Sequence, residues 1–246
     1  MKKYLILLIL IGIVICQDKG NVYQYLDQLS DENKYAMEVE KAEEWLKTSP
    51  DDVGVLWRLA RAHFDVADQT DDIAIHKEHF YPGLEVAKKA LELDPNSAKA
   101  NHWYAVLIGK IGLLEGTEQK IINSYDVEKY ALRAIELDPT YDGTYHVMGR
   151  WHFNVADLSW FERTIADLVY ATPPEGSFKQ AADFFQKAID ANANDIRHYL
   201  WLGKSLVEMD DEAGARQAIE KAASMTASNE SDRLLQKEAN SILEDL

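Results

Sequence analysis

Four bases recur at one position of a repeating pattern. Leu59-Ala60-Arg61, Ile108-Gly109-Lys110, Met148-Gly149-Arg150 and Leu202-Gly203-Lys204 each place an apolar residue, then Ala or Gly, then a cation, inside an apolar stretch. Arg presents a planar fork to two oxygens and Lys a point charge, so a row of them suits spaced carboxylates or a phosphate. About one helical turn before and after the small residue, the same face would carry Trp57 and His146, then Phe64 and Phe153, and Trp103 is expected to point the same way. The competing role for the bases is local. Arg61 with Asp65, and Lys204 with Glu208, stand at i,i+4, pairs that stabilise a helix by about 0.2–0.5 kcal/mol, whereas Lys110 and Arg150 have Leu114 and Asn154 at that spacing.

Other chemistry does not assemble from the motifs. His76-x-x-His79 could set two imidazoles on one helical face, but no third ligand, HExxH or cysteine cluster accompanies it, so neither metal nor cofactor is expected. Gly109-x-x-Gly112-x-x-x-Gly116 lacks the Gly-Lys-Ser/Thr ending of a phosphate-cradling loop. Asp51-Asp52, Asp71-Asp72 and Asp210-Asp211 stand at predicted helix starts, where carboxylates cap amides. His63 and His152 are expected to be buried, hydrogen-bonded packing residues. With no nucleophile, base and orienting group in reach of one another, the chain reads as non-enzymatic.

The elements that must hold the bases are helices. Apolar residues from Asn21 to Lys47 fall at three- and four-residue spacing and predict an amphipathic helix closed by Pro50. Pro95 and Pro139 end two later helices, at steps of 45 and 44 residues. The phrase Lys89-Ala90-Leu91-Glu92-Leu93-Asp94-Pro95 returns as Arg133-Ala134-Ile135-Glu136-Leu137-Asp138-Pro139 and, degenerately, from Lys187. Taking Ala60, Gly109, Gly149 and Gly203 as the small residue of each first helix, and Ala90, Ala134, Ala188 and Ala222 as that of each second, gives about four tetratricopeptide-like repeats. Only the last has regular spacing; insertions are expected around Asp68–Phe80, Glu115–Ser124 and Asp157–Ser177, the third adding a short helix and a turn. Ser231 to Leu246 predicts a capping helix with Leu234, Leu235, Ala239, Ile242 and Leu243 on its apolar face. The fold class is therefore all-α, an α-solenoid of antiparallel helix pairs with N- and C-terminal capping helices. An octapeptide echo, Arg61-Ala62-His63-Phe64-Asp65-Val66-Ala67-Asp68 against Arg150-Trp151-His152-Phe153-Asn154-Val155-Ala156-Asp157, makes the first and third repeats near relatives.

Among 246 residues, 42 acids against 26 bases give a net charge of -16, which disfavours nucleic acid as a partner. Lys2-Lys3 precede an apolar run from Tyr4 to Cys16, too short to span a bilayer, which takes about 20 residues, but suited to a secretory signal. Residues 1–16 are thus expected to be a signal peptide or an uncleaved signal anchor, with Cys16, the one cysteine, an alternative lipidation point, and residues 17–246 a single repeat domain. That reading places the protein outside the cell, in the periplasm or at an envelope, and makes the sequon Asn229-Glu230-Ser231 meaningful only along a eukaryotic secretory route.

From Trp57 to about Val207 the chain resembles the regulator of microtubule dynamics family. The resemblance is carried by Trp57-Arg58-Leu59-Ala60-Arg61, Asn101-His102-Trp103-Tyr104-Ala105-Val106, Ala134-Ile135-Glu136-Leu137-Asp138-Pro139, Gly149-Arg150-Trp151-His152-Phe153-Asn154-Val155-Ala156, and Trp160-Phe161-Glu162-Arg163-Thr164-Ile165-Ala166 before Pro173-Pro174. It implies a non-enzymatic tetratricopeptide-like module, with members associated with microtubules and spindles and one branch tethering membranes and binding acidic lipid. It also implies a cytoplasmic or cytoskeletal place, against the N-terminal segment. The expected function is binding of an acidic peptide or protein segment in a basic concave groove formed by Arg61, Lys110, Arg150, Lys204, Trp57, Phe64, Trp103, His146 and Phe153. The alternative ligand is a phosphatidic acid-like phospholipid.

Overall fold

A computed structural model describes residues 20–159, 164 and 175–246. Eleven helices occupy the described residues, which contain no strand. They are α1 (20–31), α2 (Tyr35–Leu46), α3 (Val53–Ala67), α4 (Ile73–Leu93), α5 (Ala98–Glu115), α6 (Thr117–Leu137), α7 (Asp142–Ala156), α8 (Phe178–Ala191), α9 (Ile196–Val207), α10 (Glu212–Ser224) and α11 (Glu230–Asp245). None is long and apolar enough to cross a membrane.

Most starts are fixed by side chains that accept a first-turn amide. Asp52, Asp72, Ser97, Ser177, Asp195, Asp211 and Asn229 cap α3, α4, α5, α8, α9, α10 and α11, each supplying an acceptor that the helix itself lacks. One predicted acid of each Asp pair is therefore a cap. The helix expected from Asn21 to Lys47 is instead two: Asn33 takes φ 57°, a left-handed conformation that Asn tolerates, and the chain reverses there. The first two insertions are not separate structures. They lengthen the second helices of their repeats, so that α4 and α6 each run 21 residues, and Gly116 turns the chain between α5 and α6 at φ 96°. The short helix and turn expected in the third insertion fall on residues 160–174, nearly all of which lie outside the described residues.

Successive helices pack antiparallel, and alternate helices touch as well: α3 on α5, α5 on α7, α7 on α9, and α9 on α11. These form the inner layer, with α4, α6, α8 and α10 outside. The small residues set the spacing between layers. A β-carbon on Gly149 would stand 2.5 Å from a ring carbon of Phe185 on α8, and one on Gly203 2.4 Å from Cδ1 of Ile219 on α10. The core runs as linked clusters along the array, from Leu26, Leu29, Ala42 and Val55 at one end to Leu200, Ile219 and Ala239 at the other.

The two ends approach one another. Ser231 at the start of α11 donates to Asp68 Oδ2 at the end of α3 (3.1 Å), and Asn33 Nδ2 donates to the Ser228 carbonyl (3.3 Å). The concave face is thereby walled in by α11.

Candidate ligand cavity

The inner layer and α11 enclose a cavity of about 980 Å³. Six of the nine residues expected in the groove line it: Arg61, Phe64, Trp103, Lys110, His146 and Arg150. Trp57 does not; it packs beside the first core cluster, with the guanidinium of Arg58 4.1 Å from its ring centroid. Phe153 is buried edge-on against Phe178 and Trp201. Lys204 stands just outside the lining, bonded to Glu238 of α11. Leu234 lines the cavity instead of joining the apolar face of α11.

The ladder is not a uniform positive stripe. Arg61 gives its Nη2 to Glu38 Oε1 (2.6 Å) and Asp27 Oδ1 (3.1 Å), Lys110 reaches Asp68 (3.0 Å), and Lys204 reaches Glu238 (2.7 Å). Neither expected i,i+4 pair forms, because carboxylates from other helices lie closer to these cations. Glu38 is fully buried, and burial pushes its carboxyl up to about 7 even though Arg61 pulls the other way.

Arg150 stands apart. Its guanidinium lies 3.6 Å from the ring centroid of Trp201, and its Nε is buried without an acceptor among the described residues. Burial draws its pKa down to about 10, so it remains charged at neutral pH. Lys204 sits 3.9 Å from the same ring. Arg61 Nε and Trp103 Nε1 are two further buried donors without acceptors, on residues that also line the cavity.

Beside Arg150 the wall carries a polar chain. His198 of α9, fully buried, places Nε2 3.0 Å from Asp142 Oδ2 and Nδ1 3.1 Å from His146 Nδ1. Arg197 holds Asp195 with three contacts of 2.5 to 3.0 Å. Asp142, Asp195 and His198 group their ligand atoms within 4.8 Å, but each is engaged by protein partners. His76 and His79 do not pair: His76 Nε2 meets the Thr70 carbonyl, and His79 meets His63. Of the two packing histidines, His63 is buried and hydrogen-bonded, whereas His152 is buried with Nδ1 unpartnered, stacked on Phe184.

Sequence reasoning missed Trp201, Arg197 and the acids Asp65 and Asp68. The signal for the acids was present. Arg61, Asp65 and Asp68 are spaced i, i+4, i+7 on α3 and so share one face.

The fold and cavity define a helical-repeat protein of the tetratricopeptide kind. The solved structure of a thermophilic tetratricopeptide protein from Thermus thermophilus superposes with a TM-score of 0.66 at 15% identity, covering 90% of this chain and 98% of that one. The pilF protein of Pseudomonas aeruginosa gives 0.56 at 16%, over 93% and 86%. The family described as regulator of microtubule dynamics protein 1-3 matches residues 22–246, and the chain belongs to that family. It is 36% identical over 195 residues to regulator of microtubule dynamics protein 1 of Bos taurus, covering 78% of this chain and 62% of that relative, and 29% identical over 184 residues to protein 3 of Mus musculus, covering 74% and 39%. None of these relatives carries an enzyme's name. The family overturns the secreted, periplasmic or envelope placement expected from residues 1–16, because its members are named for microtubules, which lie in the cytoplasm. The segment on which that placement rested lies outside the described residues.

Proposed function

We propose that this chain is a non-catalytic binding module that takes an acidic peptide or protein segment into its closed groove, with Arg150 as the anchor. The observation that carries this reading is the guanidinium on Trp201, charged, with its buried Nε lacking an acceptor among the described residues. A carboxylate there would complete charge-assisted hydrogen bonds worth about 1.5–3 kcal/mol, the range in which one residue dominates an interface. Arg61, Lys110 and Lys204 are already neutralised and serve the frame of the groove.

The test is anisotropy of a fluorescein-labelled glutamate-rich peptide on the full chain. Arg150→Gln should weaken binding by about 10- to 100-fold, as the loss of such a contact implies. Lys204→Ala should change it less than threefold. Unchanged affinity in the Arg150 variant would remove this residue as the anchor. Phosphatidic acid vesicles and polymerised microtubules as parallel probes separate the lipid and cytoskeletal alternatives: retention of the vesicles, and not of the peptide, would favour the lipid.

A further inference from the structure

The duplicated octapeptide does not present the same charge twice. In α3 the base, Arg61, is consumed by Glu38 and Asp27, and the position one turn on is Asp65, which lines the cavity with no hydrogen bond or ion pair among the described residues. In α7 the base, Arg150, has no acceptor among the described residues, and the position one turn on is Asn154, uncharged and also on the cavity wall. Two copies of one motif thus put an unpaired acid on the α3 side of the cavity and, among the described residues, an unpaired base on the α7 side. The same cavity is also lined by Asp68, which bonds Lys110, and by Arg197, which holds Asp195, so these two charges are engaged with protein partners where, among the described residues, Asp65 and Arg150 are not.

We infer that the ligand is dipolar: a peptide segment that brings a carboxylate to Arg150 and, a few residues along the same segment, a basic side chain to Asp65. The inference rests on the proposed function and adds its second half. Between α3 and α7 lie two steps of inner-layer packing, α3 on α5 and α5 on α7, at about 8–10 Å each, an upper limit for two side chains that line one cavity. An extended chain advances about 3.3–3.6 Å per residue, so the two charges should stand roughly three to six residues apart.

Asp65 is held for such a partner rather than spent. Burial pushes its carboxyl up to about 8; Arg61 pulls it down, Glu38 and Asp68 push it further up, and Arg197 pulls it down from across the groove. Tyr35, raised to about 12, also faces this acid. An incoming cation would favour the carboxylate, so binding at pH 7 should release a proton.

The experiment compares three labelled twelve-residue Gly/Ser peptides on the full chain: two Glu five residues apart, two Lys at the same positions, and one Glu with one Lys. The mixed peptide should bind at least tenfold tighter than the two-Glu peptide, and Asp65→Asn should erase that advantage while leaving the two-Glu affinity in place. Asn already occupies the equivalent position at Asn154, so this variant is expected to fold. Titration calorimetry in two buffers of different ionisation enthalpy should show proton release for the mixed peptide only, absent in Asp65→Asn. Equal affinity of the mixed and two-Glu peptides, or an advantage that survives Asp65→Asn, overturns the dipolar ligand and leaves the Arg150 anchor standing. Affinities that all ignore Arg150→Gln overturn both.

Discussion

The guanidinium of Arg150 rests on the indole of Trp201, 3.6 Å from its centroid, and no carboxylate among the described residues completes the pair. A largely desolvated cation that Asp68 and Glu238 reach only from beyond bonding distance costs folding stability, and a ring beneath it returns only about 0.5–2 kcal/mol. Arg150→Met fills similar volume without the charge. It is expected to raise stability in urea denaturation by about 1–2 kcal/mol while removing acidic-peptide binding, the opposed pair of effects that a residue kept for a ligand should show. A destabilised Arg150→Met protein would mark the residue as structural.

The small residues of the repeats are expected to differ in tolerance. A methyl on Gly149 or Gly203 would meet Phe185 or Ile219 at 2.5 and 2.4 Å, whereas one on Gly109 meets Val127 Cγ2 at 3.2 Å. Overpacking costs about 1–3 kcal/mol, and Ala returns roughly 0.8–1 kcal/mol over Gly in a helix interior. Gly149→Ala and Gly203→Ala should therefore destabilise, by up to about 2 kcal/mol, and Gly109→Ala should fall near zero. Thermal melts of the three variants check the order.

Glu38 sets a pH dependence of definite sign. Its folded value near 7 lies above the ordinary glutamate value of 4.5, so at intermediate pH the native state keeps a proton that the unfolded state has lost. Stability from this group is intact below about pH 4.5 and falls as pH rises toward 7, by about 3 kcal/mol at most. Glu38→Gln removes the titration. Its stability relative to wild type should therefore improve between pH 4.5 and 7.5; a gap that does not move with pH, or moves the other way, would show that Arg61 keeps the carboxylate ionised throughout.

The register of the inner helices was legible because packing writes a period into the sequence: Ala60, Gly109, Gly149 and Gly203 all fall on α3, α5, α7 and α9, the layer expected to be concave. The direction of Arg61, Lys110 and Arg150 followed from it. What the period could not carry was the partner of each base. Glu38 and Asp27 reach Arg61 from α2 and α1, Asp68 reaches Lys110 across 42 residues, and Glu238 reaches Lys204 from α11. Such contacts depend on how far the solenoid curls, which no local spacing encodes. The closure through Ser231 and Asp68, 163 residues apart, was invisible for the same reason.

Asp142, His198 and His146 form the chain that ties α7 to α9, and its charge state fixes its hydrogens. Burial raises the Asp142 carboxyl, but bonds from His198 and Asn192 hold it down to about 2, so it is ionised and accepts the His198 Nε2–H. The Nδ1 atoms of His198 and His146 share a single proton across their 3.1 Å contact. Burial, with Arg197 and His198 nearby, keeps His146 far below its ordinary pKa and so neutral. Because the folded value of Asp142 lies below the ordinary aspartate value of 3.8, the stability it contributes is present above about pH 4 and is lost as pH falls through 2. Asp142→Asn keeps an oxygen for both donors and loses the charge. It should cost about 1–2 kcal/mol at pH 7, with a gap from wild type that narrows between pH 5 and pH 3. Nitrogen NMR of the wild-type protein should find a proton on His198 Nε2 and a neutral His146 at pH 7. A bare His198 Nε2 would mean that Asp142 does not orient the chain.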